Sequence, residues 1–151
     1  MNKVKGEMTL RVAFVLESDK IDKAFETMKV LNMHHVPVVR DRKVIGMLSD
    51  RDILLHAHLK NGATVVPDKL VSEVMGKRLV MCNPETSIAT VAEMMLSQHI
   101  HALPVVDKDG KLVGIITSSD LIRILRDGEW LNNSTRPFLF ESPKSLFGFA
   151  S

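Results

Sequence analysis

Hydrophobic positions recur along the chain with two periods, one typical of helices and the other of strands. Apolar residues spaced by three and four predict amphipathic helices over residues 21–31 and 88–95. Short apolar runs bounded by charged or turn residues predict strands at 12–16, 36–39, 44–48, 79–82, 103–106 and 112–116. Two more helices are expected to begin at 49–52 and 117–120, because a hydroxyl followed by a carboxylate favours a helix N-terminus.

The same order of elements occurs twice because the sequence contains an internal repeat. Displaced by 67 residues, the first half matches the second at many positions: Val4 on Val71, Met8 on Met75, His34 on His101, and Pro37-Val38-Val39 on Pro104-Val105-Val106. After one inserted residue the displacement is 68, and Gly46 and Asp52 fall on Gly114 and Asp120. A unit of about 60 residues buries too little surface to be more than marginally stable alone. We therefore expect an α+β fold in which two β-α-β-β-α repeats pack with pseudo-twofold symmetry.

These matches divide the chain into four parts. The predicted parts are a first repeat at 1–60, a connector at 61–70, a second repeat at 71–126 and a C-terminal tail at 127–151. The tail holds Trp130 and four of the six phenylalanines, whereas disordered segments are usually poor in aromatic residues. We expect the tail to dock on its own module, on a dimer mate or on another protein.

Composition limits the classes of function. Hydrophobic residues make up 45% and charged residues 25% of the 151 residues, as in ordinary globular proteins. A net charge of +2 is too balanced to argue for nucleic acid, and no apolar run has the length of a membrane span. The single cysteine, Cys82, excludes an internal disulfide and fits a reducing compartment. We expect a cytoplasmic protein without nucleic-acid or membrane partners.

The repeated segments 46–52 and 114–120 carry the candidate chemistry. Where a strand runs into a helix, backbone N–H groups and the helix dipole attract anions such as phosphate. The carboxylates of Asp52 and Asp120 can each accept hydrogen bonds from the two hydroxyls of a ribose, and the glycines let backbone or ligand approach closely. The alternative is that each hydroxyl–carboxylate pair only caps its helix, a contribution of about 1 kcal/mol.

This order of residues resembles the cystathionine-β-synthase (CBS) domain, and two such domains in tandem resemble a Bateman module. The resemblance runs from about Val4 to about Leu125. It implies an adenosine ligand such as AMP, ADP or ATP, or a related adenosyl compound, with the ribose on the aspartate and the base beside the residues near the proline. The implied site residues are His35, Val36, Ser49, Arg51 and Asp52 in the first repeat and His101, Ala102, Leu103, Thr117, Ser119 and Asp120 in the second. Phe14 and Met81 stand where the family often has a threonine facing the base.

A regulatory sensor follows from this resemblance, with no catalytic residues and no cofactor beyond the nucleotide. We expect a homodimer that reports its ligand to a separate effector protein. The alternatives are a ligand-free structural module for dimerisation and an enzyme. All six histidines lie in close pairs, which suits a metal, but no second cysteine and no His-Glu-x-x-His helix accompanies them. We therefore expect the histidines to line a pocket or an interface.

Overall fold

The computed structural model describes residues 2–132, with side chains through residue 128. The predicted α+β fold of two repeats is confirmed. The elements follow one another as α1 (Val4–Glu7), β1 (Val15–Leu16), α2 (Ile21–Val30), β2 (His35–Arg40), β3 (Lys43–Ser49), α3 (Asp50–Leu54), β4 (His58–Lys60), β5 (Ala63–Val65), α4 (Val71–Val74), α5 (Ile88–Gln98), β6 (Ala102–Val106), β7 (Leu112–Thr117) and α6 (Ser118–Asn132). The predicted docking of the aromatic tail concerns residues that, from 133 onwards, lie outside the described part.

A three-stranded sheet organises the first repeat. Strands β2 and β3 form an antiparallel hairpin, and β1 runs parallel to β2. Asp41 and Arg42 make the turn at positive φ, as a two-residue hairpin turn requires. Ile21, Ala24 and Met28 share one face of α2 and are buried in the core with the strands, so the helix lies against the sheet.

The second repeat keeps the hairpin, but most of its predicted first strand is replaced by irregular backbone. Strands β6 and β7 pair antiparallel, and α5 buries Val91 and Met95. The strand predicted at 79–82 is wrong except at its end, where Cys82 forms a single parallel bridge to Val105. Leu79 is exposed and only Cys82 of this segment is buried, so little apolar burial holds the segment against the sheet.

Contacts between the repeats come in exchanged pairs. The main chain of Thr9 pairs with Ile115, and their counterparts in the repeat, Gly76 and Met47, pair in the same way. Lys43 pairs with its own counterpart in the second repeat, so this bridge lies on the axis that relates the repeats. Pairings that persist when the repeats exchange roles confirm the predicted pseudo-twofold symmetry.

Each repeat has its own hydrophobic core, and each core contains a segment from the other repeat. Val4 of α1 is fully buried in the core of the second repeat. Val71 and Val74 of α4 are buried in the core of the first repeat. The packed units therefore differ from the sequence repeats 1–60 and 71–126, whose bounds stay a prediction.

The connector forms a hairpin of its own. Strands β4 and β5 pair antiparallel, and Asn61 and Gly62 form the turn between them, both at positive φ. The sequence predicted only a connector at 61–70, although an Asn-Gly pair is a strong signal for a two-residue hairpin turn.

Helix α6 is the longest described helix, with 15 residues. It begins at the second strand–helix junction and presents Ile122 and Leu125 to solvent. Within residues 2–132, no helix combines the length and the hydrophobicity needed to cross a bilayer.

Candidate functional site

The first strand–helix junction, residues 49–52, forms a capping box. The Asp52 amide donates to Ser49 Oγ at 3.0 Å, and the Ser49 amide donates to Asp52 Oδ2 at 2.9 Å. The capping function considered from the sequence is therefore present. Asp52 is half-buried, and within the described residues no hydrogen bond reaches its second oxygen, Oδ1.

The second junction, residues 117–120, has the same cap and one additional partner. The amide and the hydroxyl of Thr117 both donate to Asp120 Oδ2, at 2.8 and 3.0 Å. Arg123, one turn further along α6, donates from Nη2 to Asp120 Oδ1 at 2.8 Å. Asp120 is 5% exposed and is the one buried charged residue among those described. Arg123 was not among the predicted site residues.

The histidines ahead of each proline lie beside the junctions. The carbonyl of His34 accepts from the Asp50 amide at 3.1 Å, and the carbonyl of its counterpart His101 accepts from the Ser118 amide at 2.9 Å. These bonds satisfy an N–H group at the start of α3 and of α6. They also hold the segment before each β-hairpin against the N-terminus of the closing helix.

A cleft of about 510 Å³ opens between the repeats beside the second junction. Both repeats contribute to its walls, which are formed by Thr9, Arg11, Val12, residues 32–35, His101, Ile115 and residues 117–119. The structure thus brings together four of the predicted site residues, namely His35, His101, Thr117 and Ser119. The cleft joins His35 of the first repeat to the junction of the second, whereas the resemblance implied a site in which His35 lies with Ser49 and Asp52.

The remaining predicted residues do not line this cleft, and they include Ser49, Asp52 and the buried Asp120. Val36 and Leu103 are fully buried in the two cores, and Ala102 is buried. Because the side chains of Val36 and Leu103 fill cores, only their main chain is available to a ligand. Arg51 is exposed in the first turn of α3 and does not line this cleft.

The segment before β1 lines the cleft and was not predicted to do so. An ideal Cβ at Gly114 would lie 2.6 Å from Met8 Sδ and 3.2 Å from the Thr9 carbonyl. At Gly46 the Cβ would lie 2.8 Å from the Gly76 carbonyl. The sequence left open whether backbone or ligand approaches these glycines, and the described structure places the protein's own chain there. In the sequence, only the equivalent positions of Gly46 and Gly114 in the two repeats indicated that another group lies close to each of them.

One arginine and three histidines give the cleft its electrostatic character. Arg11, His34, His35 and His101 all line it. Burial lowers the pKa of His35, and the neighbouring His101 and His34 lower it further when charged. Burial works to raise the pKa of Asp50, but the hydrogen bonds from His34 Nδ1 at 2.8 Å and from the Arg51 amide outweigh it, so the pKa is lowered.

A second groove, of about 500 Å³, adjoins this cleft at Val12 and is mostly apolar. Phe14 lies in it with Leu10, Leu16, Leu112 and Val113. The cleft beside the second junction therefore does not contain Phe14, the residue placed by the resemblance opposite the base.

The described structure gives little support to two other functions, metal binding and nucleophilic chemistry at Cys82. Among the described side chains, no three His, Cys, Asp or Glu residues are grouped so as to hold a metal ion. Burial raises the pKa of the Cys82 thiol to about 11, which makes it a poor nucleophile at neutral pH.

Comparison with known proteins places the chain in a family. The CBS domain model matches residues 4–58 and 71–127. The CBS domain-containing protein YhcV of Bacillus subtilis (strain 168) is 39% identical over 121 residues, which are 80% of this chain and 84% of that protein.

Solved structures show the same fold. The crystal structure of CBSX2 in complex with AMP matches with a TM-score of 0.74 and 25% identity, over 85% of this chain and 99% of that chain. The cytosolic domain of the Mg²⁺ channel MgtE in complex with ATP matches with a TM-score of 0.69 and 26% identity, over 82% of this chain and 49% of that chain.

Other relatives are much longer proteins. The chain spans only 21 to 24% of the homoserine O-acetyltransferases and inosine-5'-monophosphate dehydrogenases that it matches. In those proteins the matching part accompanies a larger remainder of the chain. The repeat, the fold and the family match agree, and the chain belongs to the CBS domain family as a tandem pair.

Proposed function

We propose that this CBS pair is a regulatory module that binds an adenosine nucleotide between its repeats. The observation that carries the proposal is the cleft that joins the second junction to Arg11 and to histidines of both repeats. AMP and ATP are the ligands of two structural relatives. AMP, ADP and ATP are therefore the first candidates, with S-adenosylmethionine as a related adenosyl ligand.

The residues divide into three roles under this proposal. Asp52 and Asp120 accept hydrogen bonds from the ribose hydroxyls, and Ser49, Thr117, Ser119 and Arg51 face the phosphates. The base lies against the chain that precedes each proline, at 35–36 and 101–103. Donors at the start of α6 and the cation of Arg11 suit an anionic group.

A ligand in this cleft contacts both repeats, and this gives it a way to signal. The walls come from the segment before β1, from the loop before β2 and from the start of α6. An occupant therefore changes the relative stability of different packings of the repeats, by no more than its difference in affinity for them. We propose that a separate effector protein binds one of these packings and that the module performs no chemistry itself.

We also propose that two copies of the chain associate through their helices. Large apolar side chains are exposed on α2, α3, α5 and α6, namely Val30, Leu54, Leu96, Ile122 and Leu125. Apolar side chains that form one contiguous exposed patch mark an association surface, and we propose that these side chains form such a patch. Sedimentation velocity measures the state directly, and a monomer at every concentration contradicts this part of the proposal.

Thermal unfolding with AMP, ADP, ATP, S-adenosylmethionine and NADH tests ligand binding. A ligand at a hundredfold its Kd stabilises the folded state by about 2.7 kcal/mol, so at least one adenosine compound is expected to raise the Tm. Asp52→Ala and Asp120→Ala, each compared with its own unliganded Tm, show which junction is used.

The control is Asp68→Ala, which removes a carboxylate that is 84% exposed and is paired only on the surface with Lys20. It is expected to keep the full ligand response. If no adenosine compound changes the Tm, the proposal is wrong, and the ligand-free module remains, in which both aspartates serve as helix caps.

A further inference from the structure

We propose that Arg123 competes with the ligand for Asp120 and so makes the second junction a weaker ribose site than the first. This inference rests on the proposed function, because it concerns how the same carboxylate receives a ribose. Arg123 is thus a specificity-determining residue rather than a ligand-binding one.

Counting acceptor positions shows the competition. An ionised carboxylate offers about four lone-pair positions. Asp120 uses two on Oδ2 for the amide and hydroxyl of Thr117, and a third on Oδ1 for Arg123. One position is left, whereas the two hydroxyls of a ribose need two. A full diol therefore reaches Asp120 only after a protein donor leaves.

The first junction shows no such competition. Asp52 uses one lone pair of Oδ2 for the Ser49 amide, which leaves about three positions for a diol. The residue of the first repeat that corresponds to Arg123 is Leu55, which is 78% exposed and has no donor. Asp120 thus has two donors that Asp52 lacks, the Thr117 hydroxyl and Arg123, and of these Arg123 comes from a substitution within the repeat.

Arg123 is the donor that can leave. The Thr117 amide is fixed by the strand–helix backbone, and the Thr117 hydroxyl is close to it in the cap. The side chain of Arg123 is 48% exposed, while that of Asp120 is 7% exposed. The second contact of Arg123, from Nη2 to the Glu7 carbonyl, is long at 3.4 Å. Solvent can therefore receive the guanidinium when its bond to Asp120 opens.

Calorimetric titration with two neutral nucleosides tests the inference. The variants are Asp52→Ala and the double variant Asp52→Ala with Arg123→Leu, in which the second junction alone binds ribose. Adenosine is expected to bind roughly tenfold more tightly to the double variant, because one charged hydrogen bond is regained. Deoxyadenosine lacking the 2'-hydroxyl needs only the position that is already free, so its affinity is expected to be unchanged. Neutral probes exclude a simple effect of the lost positive charge on phosphate.

Arg126→Leu in the Asp52→Ala background is the matched control, because it removes an arginine from the next turn of α6 that pairs with Asp127. If Asp52→Ala does not fold, Asp52→Asn replaces it, since the amide oxygen can still accept from Ser49. Equal changes for both nucleosides, weaker adenosine binding, or no adenosine binding with and without Arg123 while the wild type binds, overturn the inference. If the wild type binds no adenosine compound at all, the proposed function itself fails.

Discussion

The two strand–helix junctions have the same cap but different neighbours. At 49–52 the next residue after the serine is Asp50, which accepts from His34 and from the Arg51 amide. At 117–120 the corresponding residue is Ser118, and the charged neighbour is Arg123. The first junction thus combines an accessible carboxylate with a second negative charge, and the second combines an occupied carboxylate with hydroxyls.

This difference shows how one repeated fold can present two unequal sites. Under the proposed function, a ribose without phosphates would meet fewer competing donors at Asp52. A phosphate group meets no additional carboxylate at Ser118 and Ser119, and it has Arg11 and His101 along the same cleft. We therefore expect a neutral adenosine compound to prefer the first junction and a nucleotide with several phosphates to prefer the second.

The largest expected difference between the repeats lies at the two glycines. Gly46→Ala is expected to destabilise the fold by about 3 kcal/mol, because its Cβ would meet the Gly76 carbonyl at 2.8 Å and a backbone group must shift. Gly114→Ala is expected to cost about 1 kcal/mol, because its closest neighbour, Met8 Sδ at 2.6 Å, belongs to a flexible side chain. Urea unfolding measures both.

Gly6→Ala serves as the control for these variants, since a Cβ there meets nothing within 4 Å. Gly6 lies in α1, where alanine is more favourable than glycine by up to about 1 kcal/mol, so this variant should lose no stability. Equal losses for Gly46→Ala and Gly114→Ala would show that Met8 is as rigid as backbone. The close contact of Gly46 with Gly76 and that of Gly114 with Met8 would then tolerate an added methyl group equally well.

The next effect distinguishes the two aspartates. Asp52→Ala removes a cap and is expected to reduce the free energy of unfolding by about 1 kcal/mol. Asp120→Ala removes a cap together with a buried acceptor of Arg123, and we expect about 2 kcal/mol. Urea unfolding without ligand compares them, with Asp68→Ala as the exposed carboxylate that should change little. A larger loss of stability for Asp52→Ala than for Asp120→Ala would contradict the conclusion that Asp120 has the more stabilising hydrogen bonds.

Much of the fold could be predicted because local patterns and the repeat determine it. The helix beginning at Ile21 and both β-hairpins were found from apolar spacing and turn residues, which depend on neighbours in sequence. The roles of Ser49 and Asp52 at a helix start were found for the same reason. The repeat then predicted the symmetry, since equal sequences favour equal packing.

Features that depend on distant contacts could not be predicted. Nothing in the periodicity of residues 4–8 indicates that Val4 is buried in the core of the other repeat. Nothing in the sequence distinguishes Arg123 from the other arginines, and only the geometry of α6 brings it to Asp120. The grouping of His35 with Thr117 likewise arises from packing between repeats, which an alignment of one repeat on the other does not contain.

The smallest effect concerns pH and belongs to the first repeat alone, because the counterpart of His35 is Ala102. Burial, with the neighbouring His101 and His34, lowers the pKa of His35 below its ordinary value of 6.5, while Asp50 and Asp52 partly oppose this. The unfolded state therefore binds a proton at a higher pH than the folded state does. The stability that depends on neutral His35 is complete above about pH 6.5 and is lost as the pH falls toward the lowered pKa.

Unfolding free energies of the unliganded protein between pH 7.5 and about 5 measure this loss. We expect His35→Gln to lose less stability over that range than the wild type, because glutamine takes up no proton. His58→Gln, which changes an exposed histidine of β4, should follow the wild-type curve. If His35→Gln is as sensitive to acid as the wild type, the burial of His35 is not what couples the first repeat to pH. The acid response then belongs to groups common to both repeats, and the two halves of the molecule differ less than their junctions indicate.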